Sequence, residues 1–162
     1  MVIKIAYLTI DDCPSIDMKR KVNFLLEKRI PAIWFCRGEL LEKRQQVVIY
    51  AIRKGFVIGN HSYDHPHFSE IPLEECFRQI KVTDELIEAV YEKAGIERPA
   101  KVFRFPWGDK GGGFDVKKGG FSPRRENHAC MLCLWNRKLL CLQQCSLLHQ
   151  PKCCPSPPQW ID

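Results

Sequence analysis

The 162-residue sequence predicts an α/β fold built on a parallel sheet. Three observations carry this reading. Short runs rich in Val, Ile, Leu and Phe alternate with longer segments of helical period. Their order is strand, helix, strand, helix, strand, helix, strand, which calls for right-handed crossovers between parallel strands. Polar residues gather just after the strand ends, where open parallel sheets and barrels place their sites.

The first strand is read over residues 2–10, an apolar run of the kind buried on both faces. Asp17 to Arg29 follows as a helix with Val22, Leu25, Leu26 and Arg29 at helical spacing, stopped by Pro31. Ala32 to Cys36 is the second strand. Glu39 to Lys54 is the second helix, with Leu41, Val48 and Ile52 on one side, a basic last turn and Gly55 free to close it left-handed. Phe56 to Gly59 is the third strand, and Asn60 to Ser69 a polar, His-rich loop. Pro72 opens a third helix with Glu74 and Glu75 in its first turn. Leu73, Phe77, Ile80, Ile87, Val90 and Ala94 form its apolar stripe, and Gly95 ends it. Lys101 to Phe105 is the fourth strand, running into Pro106-Trp107-Gly108.

Composition bounds the function classes. With 45% hydrophobic and 27% charged residues the chain resembles ordinary globular proteins, which excludes a mostly disordered or fibrous one. No apolar run is long enough for a membrane-spanning helix. A net charge of +6 is too mild to argue for nucleic acid as a partner. Met1 leads directly into a strand-like run without a basic leader or cleavage site, so a cytoplasmic location is expected as the sequence is written. In that compartment the nine cysteines would be reduced thiols or metal ligands. Nothing in the sequence specifies an oligomeric state.

The sequence divides near residue 110. Residues 1–110 hold 18 Lys/Arg and 16 Asp/Glu in a well-patterned α/β text, whereas six of the nine cysteines lie between Cys130 and Cys154. We therefore read 1–110 as one structural unit and 111–162 as an irregular Cys-rich tail.

Three clusters carry chemistry. Asp11-Asp12 places two adjacent carboxylates at the end of a buried strand, where a cation would relieve their repulsion; a solvated turn is the plainer alternative. His61 and His65, four apart between Gly59 and Pro66, suit a metal ion in a turn or short helical turn, or else belong to a polar loop made His-rich by His67. Ser62 stands where a zinc protease helix would need its glutamate base. Arg104, next to Phe105 and a Pro-fixed turn, can reach a carboxylate and hold it ionised, or be a surface Arg before an ordinary turn.

Taken together and in this order, the clusters resemble the polysaccharide deacetylases, the NodB-homology family. Thr9 to Ser15 is similar to that family's first motif, His61 to His65 to its second (His-Ser/Thr-x-x-His), and Arg104 to Gly108 to its third. The likeness covers roughly residues 2–110 and implies a distorted, here incomplete, β/α barrel, with about four strands and three helices present. It implies that Asp12, His61 and His65 bind one divalent metal, zinc first and cobalt or nickel as alternatives. Asp11 would be the general base, with Arg104 orienting it and keeping it charged. Trp107 would line the substrate groove, and Pro106 with the backbone near Trp107 would shape the site for the tetrahedral intermediate. The implied reaction is removal of N-acetyl groups from an N-acetylglucosamine-containing glycan, peptidoglycan or chitin, by hydrolysis of a non-peptide carbon–nitrogen bond. The alternative is an inactive, truncated remnant that binds metal or sugar.

Two departures from the family pattern stand out. Cys13 occupies a position where the family usually has Gly, so a thiol could strain the loop or approach the metal. Beyond Lys110 the alternation is lost, and only Leu147-Leu148-His149 echoes the motif whose His would be the general acid. Cys130, Cys133, Cys141 and Cys145 have tighter spacing than zinc modules usually show. The composition there is that of an altered reading frame beginning between Gly111 and Arg125, ahead of a disordered tail or a zinc module. A sheet ending after four strands would leave an open edge and an uncovered apolar face, with poor solubility as the consequence unless the tail packs back.

Overall fold

The computed structural model describes residues 8–109 and three short strands at 113–115, 120–122 and 139–141. The element order is β1 (Leu8–Cys13), α1 (Met18–Glu27), β2 (Ala32–Cys36), α2 (Gly38–Lys43), α3 (Gln45–Arg53), β3 (Val57–Asn60), α4 (Leu73–Ala94) and β4 (Lys101–Phe103). A one-turn 3-10 helix at Pro106–Gly108 follows, then β5 (Gly113–Asp115), β6 (Gly120–Ser122) and β7 (Leu139–Cys141). The main sheet has the order β1-β2-β3-β4-β7, all parallel, while β5 and β6 form a separate antiparallel pair. Consecutive strands are neighbours and the intervening helices cross over, as the alternation predicts.

The described part of the first strand starts at Leu8, and it runs on through Asp11 and Asp12 to Cys13. Its register with β2 shifts between Ile10 and Cys13, a bulge that re-aims the two carboxylates. Burial on both faces is not seen: β1 is an edge strand of the described sheet, and Leu8 is exposed with Thr9 and Ile10 half-buried.

The single helix read over Glu39 to Lys54 is two helices. Arg44 leaves helical dihedrals (φ −138°, ψ 39°), so α2 closes and α3 restarts. Leu41, Val48 and Ile52 are nevertheless all buried as expected. Gly55 closes α3 at φ 85° and Gly95 closes α4 at φ 71°, the left-handed positions glycine tolerates best. The basic end of α3 serves a neighbour: the Arg53 guanidinium donates to the carbonyls of Ala94 and Lys93, which end α4 without partners of their own. Pro72 is the cap of α4 and not its first helical residue.

The main core lies between the sheet and helices α1, α3 and α4, with Met18, Val22, Trp34, Leu41, Val48, Ile52, Ile58, Ile87 and Val90 buried. On α4 the buried face includes Cys76, Gln79, Thr83 and Tyr91, while Leu73, Phe77 and Ala94 of the expected stripe are only half-buried. A second cluster packs Phe68, Phe103 and Phe105 edge to face, with centroids 4.9 to 5.9 Å apart. It anchors the His-rich loop to the end of β4.

In the tail, β7 lies beside β4 with Lys101, Val102 and Phe103 opposite Leu139, Leu140 and Cys141. The β4 edge is thus paired by the tail, the exception allowed to the open edge expected after four strands. His149 and the cysteines at 130, 133 and 145 lie outside the described residues. No helix among the described residues is long and apolar enough to cross a membrane.

Candidate metal centre

The three clusters singled out by the sequence reading within residues 8–109 arrive at one end of the sheet. The tips of β1, β3 and β4 supply Asp11 and Asp12, His61 and His65, and Arg104 to Trp107 respectively. Because parallel strands point the same way, successive strand ends bring these segments together.

One ligand atom each from Asp12, His61 and His65 lies within 4.8 Å of the others. His65 Nε2 is 3.2 Å from His61 Nε2 and 3.5 Å from Asp12 Oδ1. Donors at roughly 2.1 Å from a tetrahedral zinc stand about 3.4 Å apart, so both spacings suit a single ion. His61 is buried and its Nδ1 donates to the Arg104 carbonyl at 2.9 Å. That bond assigns the proton to Nδ1 and leaves the Nε2 lone pair aimed at the cluster. Burial pushes the His65 imidazole below its ordinary pKa, and the nearby Asp12 carboxylate opposes the shift only in part. A neutral imidazole is the form that ligates metal.

The loop that presents the histidines is held by buried polar groups. Asn60 anchors its own Nδ2 on the Ile80 carbonyl of α4 and accepts from the Ser62 amide at 2.9 Å. Gln79 Oε1 accepts from the Tyr63 and Asp64 amides at 2.8 and 3.1 Å. Ser62 Oγ accepts from the His65 amide. Asp12, Ser62, His65 and Trp107 all sit at positive φ, between 56° and 69°. Such conformations cost energy and concentrate where a surrounding scaffold enforces a functional geometry.

Beside the cluster, Arg104 Nη1 donates to Asp11 Oδ2 at 3.3 Å, and its guanidinium lies 4.6 Å from the Phe35 ring centroid. A second arginine, Arg37, brings Nη1 to 3.7 Å from Asp12 Oδ1 and also engages Glu39 and the Asp64 carbonyl. The two adjacent carboxylates therefore have separate cations, which offsets their mutual repulsion. Trp107 is 66% exposed at the rim; its indole N–H donates to the His65 carbonyl, and its ring stacks on His67 at 5.0 Å and 10°. Pro106 is buried beneath this turn and supports Trp107 without facing solvent. His67 in turn approaches Asp109, which accepts from the Ser69 amide and hydroxyl.

Cys13 does not join the metal cluster. Its side chain is buried, with Sγ directed to the Ile10 and Asp11 carbonyls. Three supporting residues escaped the sequence reading: Asn60, Gln79 and Arg37. Gln79 left a signal, being a polar residue one position before Ile80 on the buried side of α4. Asn60 and Arg37 look like ordinary loop residues in the sequence and gain meaning only from what they touch.

Known proteins resemble this chain in sequence and in fold. The sequence pattern of the polysaccharide deacetylases matches residues 2–116. A peptidoglycan-N-acetylglucosamine deacetylase of Bacillus cereus is 32% identical over 103 residues, covering 63% of this chain and 36% of that protein. A chitooligosaccharide deacetylase of Rhizobium leguminosarum bv. phaseoli is 31% identical over 104 residues, covering 63% of this chain and 44% of its own length. Among solved structures, a family 4 carbohydrate esterase from Streptomyces lividans in complex with acetate superposes with a TM-score of 0.56 at 30% identity, over 63% of this chain and 50% of that one. The chain thus spans about a third to a half of the lengths of these relatives.

Proposed function

The chain belongs to the polysaccharide deacetylase family, and from that membership we propose that it takes part in metal-dependent removal of N-acetyl groups from amino-sugar polymers or oligomers. The observation that carries the proposal is the convergence of Asp12, His61 and His65 on one point beside an Arg104-paired Asp11. Peptidoglycan and chitooligosaccharides, named for its relatives, are the glycans to test.

Asp12, His61 and His65 would hold one divalent ion, and an aspartate–bis-imidazole set suits zinc, with cobalt or nickel able to take the same donors. When bound, the ion supplies a Lewis acid that polarises the acetyl carbonyl and acidifies water. Asp11 would take the proton from the attacking water, and its contact with the Arg104 guanidinium would keep it aimed. Trp107, exposed and fixed by its bond to His65, offers an apolar platform for a sugar ring at the rim. Water adds to the amide carbon, the carbon–nitrogen bond breaks, and the products are acetate and a free amine on the sugar.

A second reading, a remnant that binds metal or sugar without turnover, is favoured by one observation. None of the described side chains at the site stands as an acid for the leaving amine, and the candidate His149 lies outside the described residues. Acetate release from a soluble N-acetylglucosamine oligomer, with zinc or cobalt added, separates the readings. The deacetylase reading expects turnover that Asp11→Ala and Asp12→Ala abolish. Zinc binding without acetate release would leave the remnant standing.

A further inference from the structure

The unused chemistry nearest the site is a pair of buried thiols. Cys13 on β1 and Cys36 on β2 are register partners across the parallel ladder. Neighbouring strands run about 4.8 Å apart and directly paired residues face the same side. Disulfides need Cα atoms 4.4 to 6.8 Å apart, so the register already meets that requirement. Both side chains are almost wholly buried, and both are free thiols. Burial pushes the Cys36 thiol up, and the neighbouring Cys13 thiol pushes it further.

Each cysteine is also wired to the metal centre. Cys13 follows Asp12 directly, at the register shift that turns Asp12 to φ 56°. Its thiol donates to the Ile10 and Asp11 carbonyls on either flank of that shift. The Cys13 carbonyl accepts from the Arg37 amide, and the Cys36 carbonyl accepts from the His61 amide at 2.9 Å. Moving the two sulfurs together therefore draws on Asp12 from one side and on His61 from the other.

The geometry points to Cys13 and Cys36 as an oxidisable pair whose disulfide loosens the ion site formed by Asp12, His61 and His65. The second half of that statement rests on the metal-site reading above, whereas the first does not. The oxidant is a low-molecular-weight disulfide. When local opening of the β1 edge strand exposes it, the Cys13 sulfur gives up its proton, attacks one sulfur of the oxidant and expels a thiol that carries the proton away. The Cys36 sulfur then attacks the mixed disulfide and releases the second thiol. Two electrons and two protons leave the protein, one sulfur–sulfur bond forms in it and one breaks in the oxidant. On bridging, the Cys13 thiol can no longer donate to Ile10 and Asp11, and the bulge that aims Asp12 loses those restraints. Altered support of first-sphere ligands typically lowers metal affinity 10- to 100-fold.

The test uses the full folded chain, reduced or treated with glutathione disulfide, with remaining thiols alkylated before digestion. Trypsin without reductant should yield residues 5–19 joined to residues 30–37, and a thiol reductant should separate them. Zinc affinity, read by competition with a chromophoric chelator, should fall about tenfold on oxidation and recover on reduction. Because the tail cysteines oxidise too, Cys36→Ala is the control, and its zinc affinity should not respond. Cys13→Ala serves the same purpose if that variant fails to fold. Absence of the joined peptide while tail thiols have oxidised would overturn the pair. A joined peptide with unchanged zinc affinity, or an equal response in the control, would overturn the coupling. Zinc affinity of the reduced chain that survives His61→Ala would sink the metal-site reading and leave the disulfide result intact.

Discussion

Gln79 is one of the residues through which α4 holds the His-rich loop, and replacing it with methionine tests whether the site geometry is imposed from below. Gln79 is 1% exposed, and its Oε1 accepts from two consecutive amides, Tyr63 and Asp64. Methionine has a similar volume and a flexible stem, so the packing change is small. The substitution leaves two amides without an acceptor, each worth about 1–3 kcal/mol if sealed from water. Both amides are only partly covered, so water recovers some of this, and a net loss of about 2–3 kcal/mol is expected. For a domain of about 100 residues that is a drop in Tm of roughly 10–20 °C. Denaturant melts would measure the loss, and amide exchange would localise it to Tyr63 and Asp64. Zinc affinity should fall with it, because His61 and His65 flank the released segment. A midpoint within about 0.5 kcal/mol of the parent, with both amides still protected, would refute the account of the loop as anchored by Gln79.

Three further outcomes follow from the same coordinates. Gly59→Ala should destabilise by about 1–3 kcal/mol in denaturant melts, because a Cβ there would stand 2.6 Å from Phe35 and 2.8 Å from Val102 inside the sheet. Glu75 is held down to about 2 by hydrogen bonds from Arg78 first and Gln79 second; its ionised form therefore adds stability above pH 4.5 that is lost as pH falls towards 2. Glu75→Gln should flatten the acid side of a stability–pH curve in that window, by a small amount because the group is near the surface. Trp107→Ala should leave the melt within about 0.5 kcal/mol while raising KM for a glycan oligomer more than it lowers kcat, since the ring is exposed and its role proposed to be binding.

What the sequence made legible and what it hid divide along a physical line. The strand and helix order could be read because core-facing apolar residues repeat with the period of each element, as Val48 and Ile52 do on α3. The site could be read because the chemistry uses scarce residue types placed at strand ends. The break between α2 and α3 could not, since Arg44 is an ordinary helix former and the dihedrals that interrupt it come from packing. The course of β1 past Asp12 was hidden for a related reason. Two charged residues read as the end of a strand, yet a bulge lets the ladder continue to Cys13 while both carboxylates face outwards. Arg37 and Asn60 were illegible because hydrogen-bond partners far along the chain define them.

Ligand assembly and fold completion place different demands on this chain. Asp12, His61, His65, Asp11 and Arg104 all come from β1, β3 and β4, and their supports come from β2 and α4. Among the described residues, the contacts that bring the three donor atoms together lie within residues 8–109. Stability asks more. Leu8 on the β1 edge and Phe24, Leu26 and Ile30 on and beyond α1 are all at least 37% exposed, apolar surface that contact with a further element would cover. Burial of those four side chains would return roughly 1 kcal/mol or more each, enough to decide between a marginal and a robust fold. A preparation that binds zinc tightly yet melts early and broadly would fit this division. A sharp, high melt of the chain would mean that those side chains are already covered.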